Sequence, residues 1–150
     1  MSGWHQFLQT TFATDVAHQG AAATASNTRG NDLAFAPSRV LDARTDTYWA
    51  TNDDELTPQL TLDFQRPITF NVVRLREYLP LGQRVDAFAV DSWDGVKWQE
   101  LISATSIGNA RLLQTKRTTT SRVRLRITGA AACPAISELG LFLMPEMPQP

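Results

Sequence analysis

Three residues of this chain carry the oxygen chemistry of a hard-cation site. Asp42 and Thr47 sit five positions apart in Val40-Leu41-Asp42-Ala43-Arg44-Thr45-Asp46-Thr47-Tyr48-Trp49. Glu138 lies near the other end, in Pro134-Ala135-Ile136-Ser137-Glu138-Leu139. A hard cation takes about six to eight oxygens from short acids, hydroxyls and backbone carbonyls. Asp42 and Glu138 offer carboxylates and Thr47 a hydroxyl, and the carbonyls of Arg39, Arg44 and Ser137 would complete the shell. The same residues also read as a turn in which Asp42 caps backbone amides and Glu138 is a surface acid. Spacing leaves both readings open.

A second candidate is the loop Tyr78-Leu79-Pro80-Leu81-Gly82-Gln83-Arg84, which sets three sizeable apolar side chains in a Pro/Gly turn. Loops at the end of a rigid scaffold collect binding residues. An exposed apolar loop can dock a protein, meet a membrane surface or stack on a sugar; folded back, it would plug the end of the domain. Arg74 and Arg76, and Arg122, Arg124 and Arg126, recur every second residue, which puts each set on one face of a strand. That face suits an acidic ligand, or cross-strand pairing with Asp86, Asp91 and Glu100. Of the tryptophans, Trp49 and Trp98 are expected in the core and Trp93, just before Asp94-Gly95, at the surface. His5 and His18 both precede the expected sandwich, so a Ser-His-Asp arrangement has no support. No Gly-rich phosphate loop is present.

The elements that must hold these residues are strands. Leu60, Leu62 and Phe64 alternate with Thr61 and Asp63, a period of two. Further strands are expected over Ile68 to Glu77, Arg84 to Trp93, Lys97 to Ala104, around Leu112-Leu113, over Arg122 to Thr128 and over Ile136 to Leu143. Asp94-Gly95 marks a turn. Ala21 to Ser26 has weak strand character. Trp4, Phe7, Leu8 and Phe12 have the spacing of a short amphipathic helix. Several short strands with turns between them and little helix predict an all-β antiparallel sandwich. The expected organisation is a linker or helix over 1–20, a β-sandwich over 21–143 and a Pro-rich tail over 144–150.

Composition narrows the partners. The chain has 150 residues, 43% hydrophobic and 19% charged, with a net charge of -1. That suits one soluble domain with its own core and opposes general nucleic-acid binding, which goes with a basic excess. A single cysteine, Cys133, makes no intramolecular disulfide and is expected as a small buried filler. No run of about 18 apolar residues exists to span a membrane.

The stretch from Ala21 to Leu143 resembles the discoidin, or coagulation-factor type C, module, also called the family 32 carbohydrate-binding module. The carrying residues are Ala25-Ser26, Val40-Leu41-Asp42, Asp46 to Thr51, Leu60 to Asp63, Asp94-Gly95 with Trp98, Val123 to Ile127, and Ile136 to Leu139. Phe70 to Tyr78, Leu81 to Val85 and Ala132 to Glu138 are similar to the C-terminal domain of glycoside hydrolase family 29 α-L-fucosidases. The resemblance implies a galactose-binding-like jelly-roll sandwich with a structural calcium held by Arg39, Asp42, Arg44, Thr47, Ser137 and Glu138. It implies a non-catalytic accessory domain, its catalytic barrel lying elsewhere in the same polypeptide, in a secreted or periplasmic parent. Carbohydrate, a fucosylated or galactosylated glycan, would be held weakly at the loop end by Asn52, Glu77, Tyr78, Arg84 and Trp93. The alternative is a structural domain that docks on the barrel. The fucose-binding lectins of this fold use a His and two Arg residues. Here Arg84 matches one Arg, Glu77 falls near the place of the other, and no His follows Trp49.

Overall fold

The computed structural model describes residues 16–18, 21–42, 44, 46–108 and 110–144. The helix expected over Trp4 to Phe12 and the tail beyond 144 lie outside them. Among the described residues seven strands run in chain order: β1 (Ala22–Ala25), β2 (Trp49–Ala50), β3 (Gln59–Glu77), β4 (Val85–Trp93), β5 (Trp98–Ala104), β6 (Arg111–Ala130) and β7 (Ala135–Phe142). All pairings are antiparallel, in the order β2-β7-β3-β6-β4-β5 with β1 beside β3. Among the described residues no helix is long and apolar enough to cross a membrane.

Two strands do more than their sequence suggested. The segments expected at Leu60 to Phe64 and at Ile68 to Glu77 are one strand, β3, and those around Leu112-Leu113 and Arg122 are one strand, β6. β3 pairs with β6 at both ends, and register shifts fall between Asp63 and Ile68 and between Phe70 and Val72. Bulges add residues to one strand, which bends it. The ribbon therefore folds over. Its Gln59–Asp63 half joins β1, β4 and β5, and its Val72–Glu77 half joins β2 and β7. The two layers face each other across one core. Leu60, Leu62, Val123, Leu125, Phe88 and Val90 come from the first layer, and Val73, Leu75, Leu113, Leu139 and Leu141 from the second. Each such side chain, fully buried, contributes about 1.5–3 kcal/mol. Ala17 is fully buried in the same cluster, so packing reaches back before the expected boundary at 21.

Long strands with alternating burial explain the location of the charges. Arg122, Arg124 and Arg126 leave the outer side of β6, while Val123, Leu125 and Ile127 fill the core. Arg126 and Arg124 both bind Asp91 on β4, Arg126 also binds Glu100 on β5, and Arg122 binds Asp63. The arginine face is thus balanced across strands, with Asp63 in the place expected of Asp86. Trp98, expected in the core, is half-buried on this outer face. Arg124 lies 4.4 Å above its ring, and Trp93 meets it edge-on at 5.4 Å. Its position opposite Trp93 in the register, on the face away from Val90, decides this.

The β4–β5 hairpin turns at Asp94-Gly95. Gly95 has φ 98°, which favours glycine. Asp94 Oδ1 accepts the amides of Val96 and Lys97, both at 2.8 Å, and Oδ2 accepts Gln99 Nε2 at 2.8 Å. The Lys97 amide, then the Gln99 side chain and the Val96 amide, lower the carboxyl from 3.8 to about 2. A depressed folded value means that the turn's stabilisation is complete above the ordinary carboxylate range and is lost as pH falls through about 2. Carboxyl-detected NMR should show Asp94 titrating near 2, with the Val96 and Lys97 amide shifts following it; titration near the ordinary carboxylate value would contradict the turn.

Candidate functional site

The loop end of the sandwich gathers chain segments that are far apart in sequence. A short 3-10 turn at Leu33–Phe35 starts on Asp32, whose Oδ1 accepts the Ala34 amide at 2.9 Å. A second follows at Pro37–Leu41, with Pro at its first position, where the missing N–H costs nothing. These turns aim Phe35 at Tyr48, with ring centroids 5.5 Å apart. Tyr48 in turn stacks on Tyr78 at 4.2 Å with planes 22° apart. Trp49 is buried and donates to the Asn27 carbonyl at 3.0 Å.

Glu77 ends β3 and turns inward, with 4% exposure. Its Oε2 accepts the Arg84 amide at 2.7 Å and the Val85 amide at 3.3 Å, and its Oε1 accepts the Gly108 amide at 3.0 Å. One carboxylate thus ties the Tyr78–Arg84 loop to the loop before β6. Expected as a sugar contact, Glu77 instead faces inward here, with both oxygens accepting backbone amides. Gly82, at φ 94°, turns the loop back toward Glu77. Leu79 and Leu81 remain 40% and 41% exposed.

The polar rim is built around Cys133. Arg84 Nη1 donates to the Cys133 carbonyl at 2.9 Å and reaches its Sγ at 3.2 Å, while Arg84 Nε donates to the Leu81 carbonyl. Arg29 reaches the same sulfur at 3.8 Å and pairs with Asp53. Asn52 Oδ1 accepts the Gly30 amide at 2.9 Å, and its own amide donates to Asn27 Oδ1. Asn52, Tyr78 and Arg84 are therefore brought to one end. Trp93 is not. It lies at the far end of the nine-residue β4, about 26 Å from Val85 at the strand rise, beside Thr120 at the ribbon's fold-over. Sequence reasoning missed Arg29 and Asp53; contacts between distant loops, Asn52 with Gly30 and Asn27 among them, carry them to the rim. An open cavity of about 420 Å³ lined by Gln65, Arg66, Pro67 and Ile68 also belongs to the fold-over end.

The two carboxylates proposed as cation donors each have partners of their own. Asp42 Oδ1 accepts the Arg44 amide at 2.9 Å, Oδ2 accepts the Thr47 hydroxyl, and Arg39 Nη1 stands 3.9 Å away. Arg44 itself pairs with Asp46, which raises the Arg44 value and lowers that of Asp46. Ser137 is buried, its hydroxyl 3.4 Å from the Arg76 carbonyl. Glu138 faces two guanidinium groups, Arg74 at 2.5 Å and Arg76 at 3.1 Å. At Glu138 the arrangement does not fit a divalent cation: the carboxylate is already neutralised, and two positive guanidinium groups flank it. Among the described residues no group of three or more His, Cys, Asp or Glu side chains could hold a metal ion.

The sequence profile of the F5/8 type C domain matches residues 22–139. The chain belongs to the F5/8 type C domain family. Relatives of this F5/8 type C domain are fucosidases. Alpha-L-fucosidase 1 of Arabidopsis thaliana is 32% identical over 136 residues, 88% of this chain and 27% of that protein. A rice (Oryza sativa subsp. japonica) protein provisionally named alpha-L-fucosidase 1 is 36% identical over 139 residues, 91% of this chain and again 27% of the relative. The chain thus spans about a quarter of their length. A Ruminococcus gnavus GH29 fucosidase, solved in complex with fucose, superposes with TM-score 0.86 at 29% identity, over 94% of this chain and 29% of that one. The F5/8 type C domain also shares its fold with a Clostridium perfringens module solved with GalNAc-β-1,3-galactose, at TM-score 0.74 and 16% identity over 86% of this chain and 99% of that one.

Replacing Glu77 with Ala would leave three amides without their acceptor, and hydrogen bonds to charged groups contribute about 1.5–3 kcal/mol each. Urea unfolding of Glu77→Ala should show a loss of about 2–4 kcal/mol, with the amides of Arg84, Val85 and Gly108 losing hydrogen-exchange protection. A loss near zero would remove the carboxylate from this role.

Proposed function

We propose that this chain is the accessory domain of an α-L-fucosidase and binds carbohydrate weakly at its loop end. The observation that carries the reading is the convergence of Arg29 and Arg84 on Cys133, at the same end as the stacked Tyr48–Tyr78 pair. Guanidinium groups donate hydrogen bonds to sugar hydroxyls, and aromatic rings cover the apolar face of a sugar. Arg84 Nη2 and the Nε and Nη1 of Arg29 have no partner among the described residues and are the donors for ligand. Arg29 supplies the second guanidinium that Glu77, turned inward, does not. The fucosidase relatives point to a fucosylated or galactosylated glycan, and the sugar-bound module of the same fold is consistent with it. The site's donors are partly engaged already, so affinity near 1 mM is expected, about −4 kcal/mol.

Hydrolysis belongs, on this reading, to a catalytic domain elsewhere in the polypeptide, since this chain spans only about a quarter of its relatives' length. The parent would be secreted or periplasmic, where such glycans are met. A second reading, docking on that catalytic domain, is favoured by the apolar side chains at the same end: Leu33 at 80% exposure, with Leu79 and Leu81.

An amide-resolved NMR titration with L-fucose, galactose and a fucosylated oligosaccharide separates the two. Saturable shifts at 28–30, 52–53, 78–84 and 133, weakened about tenfold or more by Arg84→Ala, are expected; tenfold corresponds to about 1.4 kcal/mol. Absence of shifts at tens of millimolar sugar (about ten times the expected dissociation constant) would leave the docking reading in its place. The chain alone should release no product from an aryl fucoside.

A further inference from the structure

The donor set around Glu138 fails to fit a divalent cation for a specific reason. Arg74 and Arg76 stand two residues apart on β3 and so leave the same face. Glu138 sits directly opposite Arg76 in the β3–β7 register. Its Oε1 takes both Nε and Nη2 of Arg74, at 2.6 and 2.5 Å, and its Oε2 faces Nε of Arg76 at 3.1 Å. Only 14% of the Glu138 side chain is exposed. The Arg74 guanidinium also lies 4.7 Å above the Phe142 ring on the same strand as Glu138, which fixes it from the other side. The Arg76 contact is an ion pair without hydrogen-bond geometry, its buried Nε having no hydrogen-bond partner, so what opposes a metal at this carboxylate is the pair of guanidinium charges beside it. A doubly charged ion there would stand beside two fixed positive charges in a partly desolvated setting, where like-charge repulsion is weakly screened. At the other half of the set, Asp42 spends its oxygens on the Arg44 amide and the Thr47 hydroxyl. That closes the loop with its own hydrogen bonds.

We infer that the Arg74–Glu138–Arg76 clamp replaces a divalent cation in this chain, so that the β3–β7 pairing and the sandwich are independent of calcium. The clamp serves the same end as a bridging ion. It neutralises a half-buried carboxylate and pins the last strand to its neighbour, with guanidinium groups that are always charged. The loop at Asp42 then needs no ion to keep its turn.

Thermal unfolding of the chain in millimolar calcium and in excess chelator tests this directly, because an ion bound only by the folded state raises the melting temperature. The two curves should coincide within about 1 °C, and elemental analysis of chain purified without chelator should find no stoichiometric calcium. A rise of several degrees with calcium, reversed by chelator, or one calcium per chain would overturn the inference. Glu138→Gln keeps the shape but removes the charge, leaving two guanidinium groups short of a partner. It should lower the melting temperature by roughly 4 °C or more, equally with and without calcium. An unchanged melting temperature would show that the clamp does not hold β7. The wild-type comparison stands even where that variant fails to fold.

Discussion

The pairing of β3 with β6 carries this molecule. Both strands are about twice as long as any other and contribute to both layers. Every further strand is added to that ribbon or to a strand that touches it: β1 and β7 to β3, β4 to β6, β5 to β4 and β2 to β7. Folding the ribbon over at residues 64–70 is what turns one hydrogen-bonded ladder into two facing sheets with a single core. Because strand side chains alternate, the same pairing decides which arginines lie outside and which aliphatic residues lie inside. A one-residue slip would exchange them.

Fold-over also brings both ends of β3 to the same end of the domain. Glu77 closes that end from within, and its three backbone partners come from the loop before β4, the first residue of β4 and the loop before β6. The rim residues then rest on a fixed base. Arg84 points back across Cys133 because its own amide is held by Glu77, and Tyr78 is held against Ala135 by its amide. Binding groups on short loops become well placed when such internal bonds fix the loop backbone.

Charge has three different uses on this surface. Asp91, 1% exposed, lies under Arg124 and Arg126 and ties β4 to β6. Glu138 is held by arginines of β3 and ties β7 to it. Asp94 works alone, organising a hairpin turn through backbone amides. The first two leave one carboxylate shared by two guanidinium groups, an arrangement in which removing the acid costs more than the pair itself contributes, because the remaining charges stay partly desolvated. At the loop end, by contrast, Arg29 and Arg84 keep free donors, which sets that rim apart from the sheet faces.

Local patterns were legible in the residues themselves. The alternation through Val123, Leu125 and Ile127, the Asp94-Gly95 turn and the all-β class follow from chemistry within a few positions, and the structure carries each of them. The family likeness likewise rests on short local runs. What lay beyond reach was partnership between distant segments. Two predicted strands became one because a partner strand continued past the bulge. Trp98 left the core because of its neighbour on β4. Trp93 went to the opposite end from Arg84 because β4 runs nine residues between them. Glu77 turned inward to amides at the start of β4 and in the loop before β6, and Arg29 reached Cys133 across 104 positions of chain. By itself the sequence determined period, and hence which face each side chain takes on its strand. Only the tertiary structure decided what that face meets, since meeting depends on register and fold-over, which no single strand encodes.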